Sequence, residues 1–414
     1  MPLGDSMVIY KKQFYKNMIF FLLLLSILFR GPTFFKIFSS SFGEIRISYL
    51  LLFFLSFVVF FILKHKITII EFIIFVTIFI TILLNMLLLQ TYNIEYLVYV
   101  LQAFAYYYIL SALVRLISIN ELYKKCNIML IVFGIMSVYE ILTGKLFFHI
   151  VVPYEINSFS IYERAYLFFY NGNNLSLFLL SLYVIVLGYN LIEKNKTKYL
   201  LAQQVLLFFI FIMNDSKLSL VVFLVTTALF FIKKYTYDFK RKNWKLILYG
   251  ICSVFIIMLL IKNYFDSNIH FINVFFDNAQ VNITNDPRFD LYSNAIQTFY
   301  SNPLGIGLGN SDYYFSTNVH SIIIQFIVEI GIFGLIFWIL YYFFVLKDNL
   351  KNIKYNDKFM ANVIRYYVVL FPIISMQVSR VISDNALVFM WALFLVLLKY
   401  YTSSKFEFRK ETLI

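Results

Sequence analysis

Apolar segments, each close to the length that crosses a bilayer, follow one another along almost the whole chain, and only one long polar stretch, 263–319, interrupts them. A hydrocarbon core takes ~20 apolar residues per helix. Segments such as 67–89, 321–346 and 359–378 reach that length with few charges. The pattern predicts an all-α, polytopic membrane bundle. Composition agrees, with 61% hydrophobic, 21% aromatic and only 14% charged residues among 414, far from the balance of a soluble domain.

Twelve spans fit: 18–37, 47–63, 67–89, 95–113, 127–143, 174–192, 199–213, 217–232, 245–262, 320–346, 359–379 and 384–401. The organisation is therefore a membrane bundle of about nine helices over 1–262, a long loop over 263–319, and about three helices with a tail over 320–414. In the pair 199–232, Asn214, Asp215, Ser216 and Lys217 leave almost no loop. One span of that length would be too long, so a tight hairpin is expected.

The net charge of +13 would suggest nucleic acid in a soluble protein, but here the positives sit between helices. Cytoplasmic connections retain Lys and Arg, and alternate connections separate cleanly. One set is basic: Lys11, Lys12 and Lys16; Lys64 and Lys66; Arg115, Lys124 and Lys125; Lys194, Lys196 and Lys198; Lys233 through Lys245; Lys347 through Lys358; and the tail with Lys405, Arg409 and Lys410. The other set is sparse, with Arg30, Lys36, Arg46, Lys145, Arg164, Lys217, Lys262, Arg288 and Arg380. Both termini are expected in the cytoplasm, in a bacterial inner membrane, with the long loop outside. Lys11, Lys12 and Lys16 before an apolar run resemble the start of a signal peptide, but Arg30-Gly31-Pro32 follows with no small-residue cleavage site. A retained first helix is expected, weakened by Gly31-Pro32.

Cys126 and Cys252 fall in or beside apolar segments, so they read as packing residues without a disulfide framework. No two His or Cys residues have metal-ligand spacing, and nothing in the sequence calls for a cofactor. A Walker motif is absent, as is any obvious internal repeat of the transporter kind.

Within the long loop, Leu291, Ala295, Ile296 and Phe299 recur near helical spacing after Asp286-Pro287, which predicts a short amphipathic helix. Pro303-Leu-Gly-Ile-Gly-Leu-Gly309 ends it with alternating glycines, which permit backbone geometry that other residues resist. His320 then heads a span that carries Glu329-Ile-Gly331-Ile-Phe-Gly334.

An Arg, an apolar helix, Asn-Pro-Leu-Gly-x-Gly-x-Gly, and a His at the head of a helix with Glu-x-Gly-x-x-Gly together resemble the O-antigen polymerase and O-antigen ligase superfamily, including the Wzy-type polymerases. Arg288, Asn302 to Gly309, His320 and Glu329 to Gly334 carry the match. Where the family tends to have Ser-Arg at the outer end of a mid-chain helix, this chain has Ser216-Lys217, which keeps the charge and loses the bidentate fork. The family's helical Asn corresponds to Asn173-Asn174.

The resemblance implies a GT-C-like membrane glycosyltransferase that moves a glycan from undecaprenyl pyrophosphate to a sugar hydroxyl at the outer leaflet, with a flippase and a chain-length regulator as partners and no nucleic acid. It implies Lys217 and Arg288 on the pyrophosphate and His320 as base. All three fall outside in the topology read from charge alone. Arg380 stands either as a third phosphate contact or as half of an ion pair with Asp384. Nine residues past His320, Glu329 lies ~13 Å deeper at ~1.5 Å per residue and near the opposite helix face. It reads as a packing partner, with Gly331 and Gly334 for close helix approach. Glu140, near the outer end of its span, is a weaker candidate for sugar or cation binding and the next candidate base. A repeat-unit polymerase of capsule or exopolysaccharide leads; a ligase acting on another acceptor and a lipid-linked oligosaccharide flippase are the alternatives.

Overall fold

The computed structural model describes residues 3–28, 36–40, 43–66, 68–89, 94–147, 164–169, 171–192, 197–214, 216–238, 287–315, 321–347, 355–377 and 384–402. The helices are α1 (Leu3–Leu28), α2 (Ile47–Phe61), α3 (Ile69–Leu89), α4 (Ile94–Leu116), α5 (Ile119–Thr143), α6 (Gly172–Ile192), α7 (Thr197–Met213) and α8 (Lys217–Asp238). After them come α9 (Pro287–Ser301), α10 (Ser311–Phe315), α11 (Ile322–Ile330), α12 (Ile332–Lys347), α13 (Tyr355–Ile374) with a 3-10 turn at Ser375–Gln377, and α14 (Asn385–Thr402).

Four of these are long and apolar enough to cross a membrane: α4, α5, α6 and α14. Several shorter apolar helices accompany them, including most of α2, α7 and α12. Phe53, Phe57, Phe60 and Phe61 of α2 are exposed, as are Phe72 and Ile73 of α3. Apolar surface on this scale requires a covering, and lipid supplies it.

Two expectations change, and a third is not reached by the described residues. The first span does not run to residue 37: α1 stops at Leu28, and the strands β1 (Lys36–Ser40) and β2 (Gly43–Arg46) pair antiparallel, Ser40 opposite Gly43. Gly31-Pro32 falls between α1 and β1 in the sequence, and proline lacks the N–H that a continuing helix needs. The span expected over 320–346 is two helices, α11 and α12, broken at Gly331. Span 245–262 lies outside the described residues, so the twelve-span pattern is seen only in part.

The chain divides into two compact units, Met1–Leu122 with Leu291–Ile414, and Tyr123–Asp290. In the first, a buried polar ladder joins three helices. Gln102 of α4 donates to Asn385 of α14 at 2.5 Å, Asn385 donates to the Ser26 carbonyl of α1 at 3.3 Å, and Ser26 meets the Tyr106 hydroxyl at 3.0 Å. On α12, α13 and α14, Trp391 donates to the Tyr341 hydroxyl at 2.9 Å, which donates to the Val368 carbonyl at 3.0 Å. Such bonds specify which helix faces meet, because in lipid apolar burial alone does not choose partners.

Three contacts link helix ends that the charge pattern assigned to one side. Lys16 pairs with Glu121 at 2.6 Å, the Tyr108 hydroxyl donates to the His65 carbonyl at 2.9 Å, and Lys399 pairs with Glu71. Glu71 also closes a capping box with Thr68 at the start of α3. In the second unit the core is α6, whose Tyr183 hydroxyl meets Thr227 of α8 at 2.8 Å and accepts from Gln204 of α7 at 3.0 Å.

Candidate functional site

The two glycine motifs interlock. An α-helix leaves its last carbonyls without intrahelical partners, and at the end of α11 those of Val328 and Glu329 accept from the amides of Ile306 and Gly307, both at 3.0 Å. In return Ile332, the first residue of α12, donates to the Pro303 carbonyl at 2.9 Å. Non-helical backbone at membrane depth is tolerated where protein buries it and satisfies its polar groups. The turn after α9 performs that task.

Only glycine permits so close an approach. Gly331 has φ +68°, and a Cβ there would lie 2.3 Å from the Pro303 oxygen and 2.5 Å from the Gly305 nitrogen. Gly305, at φ +93°, would place a Cβ 2.3 Å from the Glu329 carbonyl oxygen. Ala295, Ile306 and Val328 form a small buried cluster beneath, with Phe315 and Ile324 packed on it. The expected helix is present as α9, with Pro287 at its first position. Of its predicted apolar face, Ala295 is buried and Ile296 is exposed.

The loop's amides are committed to protein. Gly305 donates to the Asn302 carbonyl and Asn310 to the Gly307 carbonyl, at 2.8 and 3.2 Å, while Gly309 and Ser311 donate to the Glu329 carboxylate. Phosphate-cradling loops present free N–H groups. With the amides of 305, 306, 307, 309, 310 and 311 engaged, this turn is architectural.

Glu329 is buried. Besides the two amides, its carboxylate accepts from the Ser311 hydroxyl at 2.6 Å and from Gln325 Nε2 at 3.0 Å. His320 and Arg380 lie outside the described residues, as does the Arg288 side chain, although α9 begins at Pro287 and so carries Arg288 in its first turn. Ser321, next to His320, caps α11 by accepting from the Ile324 amide at 3.3 Å. Asp384 caps α14, accepting from the amides of Ala386 and Leu387 at 3.1 and 3.3 Å.

In the second unit, Asn214 is the hub of the hairpin tip. Its Oδ1 accepts from the Ala165 amide at 2.8 Å, and its Nδ2 donates to the Gly172 carbonyl at 3.1 Å and to Ser176 at 3.2 Å. The Glu140 carboxylate accepts from the amides of Phe147, Tyr166 and Leu167, at 2.8, 2.7 and 2.8 Å. That grip holds Leu167 at φ +49°, a conformation that costs a non-glycine residue energy unless its surroundings impose it. Glu140 would have to surrender these bonds to act as a base.

Asn174 is buried in the first turn of α6, where Gly172 and Ser176 bond to Asn214. Lys217 is exposed at the start of α8, three residues past Asn214. The structure thus joins the first turn of α6 and the segment gripped by Glu140 at Asn214, a residue that the sequence reading passed over as hairpin loop. The signal was a buried-type polar residue in a hairpin too short to need one. Among the described residues, no three His, Cys, Asp or Glu side chains cluster to hold a metal ion.

A multi-pass helical membrane protein with a helix break sealed by a glycine-rich turn is the class that fold and site define. Residues 204–339 match the family model described as O-antigen ligase, which supports the O-antigen ligase and polymerase superfamily. The matched segment encloses Lys217, Arg288, the glycine-rich turn, His320 and Glu329, and excludes Glu140, Asn174 and Arg380. No curated protein matches the chain.

Proposed function

We propose that the chain is a polymerase of surface-polysaccharide repeat units, transferring a glycan from undecaprenyl pyrophosphate to a sugar hydroxyl of another lipid-linked glycan at the outer leaflet. The observation that carries this reading is the placement of the two cations. Lys217 stands in the first turn of α8 and Arg288 in the first turn of α9. Helix N-termini carry partial positive charge, so a cation there is disfavoured by the helix and an anion favoured. Both positions become favourable when a pyrophosphate binds, because side chain and helix field then act on it together.

In this reading the acceptor hydroxyl gives its proton to neutral His320 as its oxygen bonds to the anomeric carbon. The glycosyl bond to phosphate breaks, and the electron pair leaves with undecaprenyl pyrophosphate, held by Arg288 and Lys217. Arg380 is a third phosphate contact or half of a surface ion pair with Asp384. Glu140 and Glu329 hold the two scaffolds, with Asn174 on the donor side. Twelve spans in a GT-C-like bundle, cytoplasmic termini in a bacterial inner membrane, and a flippase and chain-length regulator as partners complete the proposal.

The description of the matched family favours a ligase as the second reading. Reconstituted protein given defined undecaprenyl-pyrophosphate glycans separates the possibilities. A ladder of longer glycans is expected. Transfer only to a different acceptor makes the chain a ligase, and leaflet exchange without bond formation makes it a flippase.

A further inference from the structure

Glu329 is a side chain whose bonds the mechanism does not use and that holds backbone of the glycine-rich turn. A carboxylate offers about four lone-pair sites, and four groups donate to this one: the Gly309 and Ser311 amides, the Ser311 hydroxyl and Gln325. All four are protein groups of the turn and of α11. The backbone of the same residue does a second task, since its carbonyl accepts from Gly307 at 3.0 Å. One residue therefore clamps both halves of the turn, Gly307 through its main chain and Gly309 to Ser311 through its side chain.

The turn it clamps joins two parts of the proposed chemistry. On one side it follows α9, which carries Arg288 in its first turn. On the other it leads into α10, and along the sequence His320 stands nine residues after Ser311 and nine before Glu329. The Ser311–Glu329 bond thus ties the start of α10 to α11, the two helices that flank His320 in sequence.

We propose that Glu329 is a positioning residue of the transfer reaction, holding the Gly309–Ser311 turn on the broken helix so that turnover, and not donor binding, depends on it. The proposal rests on the transferase reading above. A reacting group misplaced by ~1 Å can lose ~10²-fold in rate, whereas the side-chain partners of Glu329, Ser311 and Gln325, are not pyrophosphate contacts in the transferase reading.

The test pairs kinetics with amide hydrogen exchange on the reconstituted protein, comparing Glu329→Ala, Glu329→Gln and Ser311→Ala with wild type. Exchange at Gly309 and Ser311 should rise in all three, most in Glu329→Ala. The kcat of Glu329→Ala should fall about 10²-fold, with donor affinity, measured on undecaprenyl-pyrophosphate glycan, within about twofold of wild type. Glu329→Gln retains one acceptor oxygen and should recover at least a tenth of wild-type kcat; Ser311→Ala should fall between. Unchanged exchange in Ser311→Ala and Glu329→Gln overturns the clamp. Raised exchange with wild-type kcat overturns its link to turnover, and loss of donor affinity in step with kcat makes Glu329 a binding residue instead. Exchange needs no substrate, so it decides on the clamp even if the wild-type protein forms no glycosidic bond, the result that would reject the transferase reading itself.

Discussion

Gly331→Ala should be among the most damaging single-atom-group additions in this protein. At φ +68° and ψ −141° the residue lies near a region that is essentially glycine-only, and a side chain there costs of order 1–3 kcal/mol. The new Cβ would also lie within 2.5 Å of three backbone atoms, the Leu304 carbon, the Pro303 oxygen and the Gly305 nitrogen. Backbone cannot rotate away, so the turn must lift from the break and weaken three bonds: Ile306 to Val328, Gly307 to Glu329 and Ile332 to Pro303. At ~1 kcal/mol net for each, and with neighbouring effects not strictly additive, the total with the backbone cost is about 4–6 kcal/mol. Gly134→Ala is the control. Its Cβ would lie 2.3 Å from Leu206 Cδ2, the far end of a flexible side chain, and alanine inside α5 gains ~1 kcal/mol of helix propensity over glycine. Reversible unfolding in detergent should therefore place Gly134→Ala within about 1 kcal/mol of wild type by these terms and Gly331→Ala far below it. Equal stability of the two variants would refute the interlock.

Arg288→Ala should nearly abolish polymer formation at normal protein level and Arg288→Lys should restore only part, since lysine lacks the planar fork, whereas Lys217→Arg should be tolerated; full output from Arg288→Ala would remove it from the phosphate site. His320→Ala and His320→Gln should both lower the initial rate by ~10² to 10⁴ with donor affinity retained, and near-wild-type turnover by His320→Gln would mean that another group is the base. His65 bonds to Ser111 Oγ at 2.7 Å, and burial first, then Arg115, holds its pKa down to about 4 from 6.5. The folded state thus keeps the ring neutral while the unfolded state protonates near 6.5, so this contribution to stability is whole above that pH and is lost as pH falls from 6.5 towards 4. His65→Gln should flatten that part of the stability profile measured by thermal unfolding; an unchanged slope would assign it to other groups.

Helices were legible because span length and charge alternation are written residue by residue: the hairpin at 214–217 and the helix starting at Pro287 stand where spacing and punctuation put them. The break at Gly331 was not legible as a break. Ile-Ile-Ile-Gln-Phe-Ile-Val-Glu-Ile-Gly reads as continuous apolar helix, and only the partner turn, more than 20 residues earlier, supplies the donors that make an interruption stable. The motif resemblance marked Asn302 to Gly309 and Glu329 to Gly334 separately, but that each explains the other's glycines is a tertiary fact. Likewise Asn214 carries no motif, and its importance comes from carbonyl, amide and hydroxyl partners on elements distant in sequence. Glu140 looked available because it sits near an apolar helix end; the three amides that occupy it come from connecting segments whose geometry no periodicity encodes.

The central claim is that this chain forms glycosidic bonds at the expense of lipid pyrophosphate bonds, and one measurement tests it directly. Purified protein in bilayers is given a single undecaprenyl-pyrophosphate glycan, and released undecaprenyl pyrophosphate is counted against new glycosidic linkages by mass spectrometry. One undecaprenyl pyrophosphate freed for every repeat unit joined, with products at integer multiples of the starting glycan, is the predicted result. Lipid-linked glycan recovered unchanged in length, with no undecaprenyl pyrophosphate released, would contradict it.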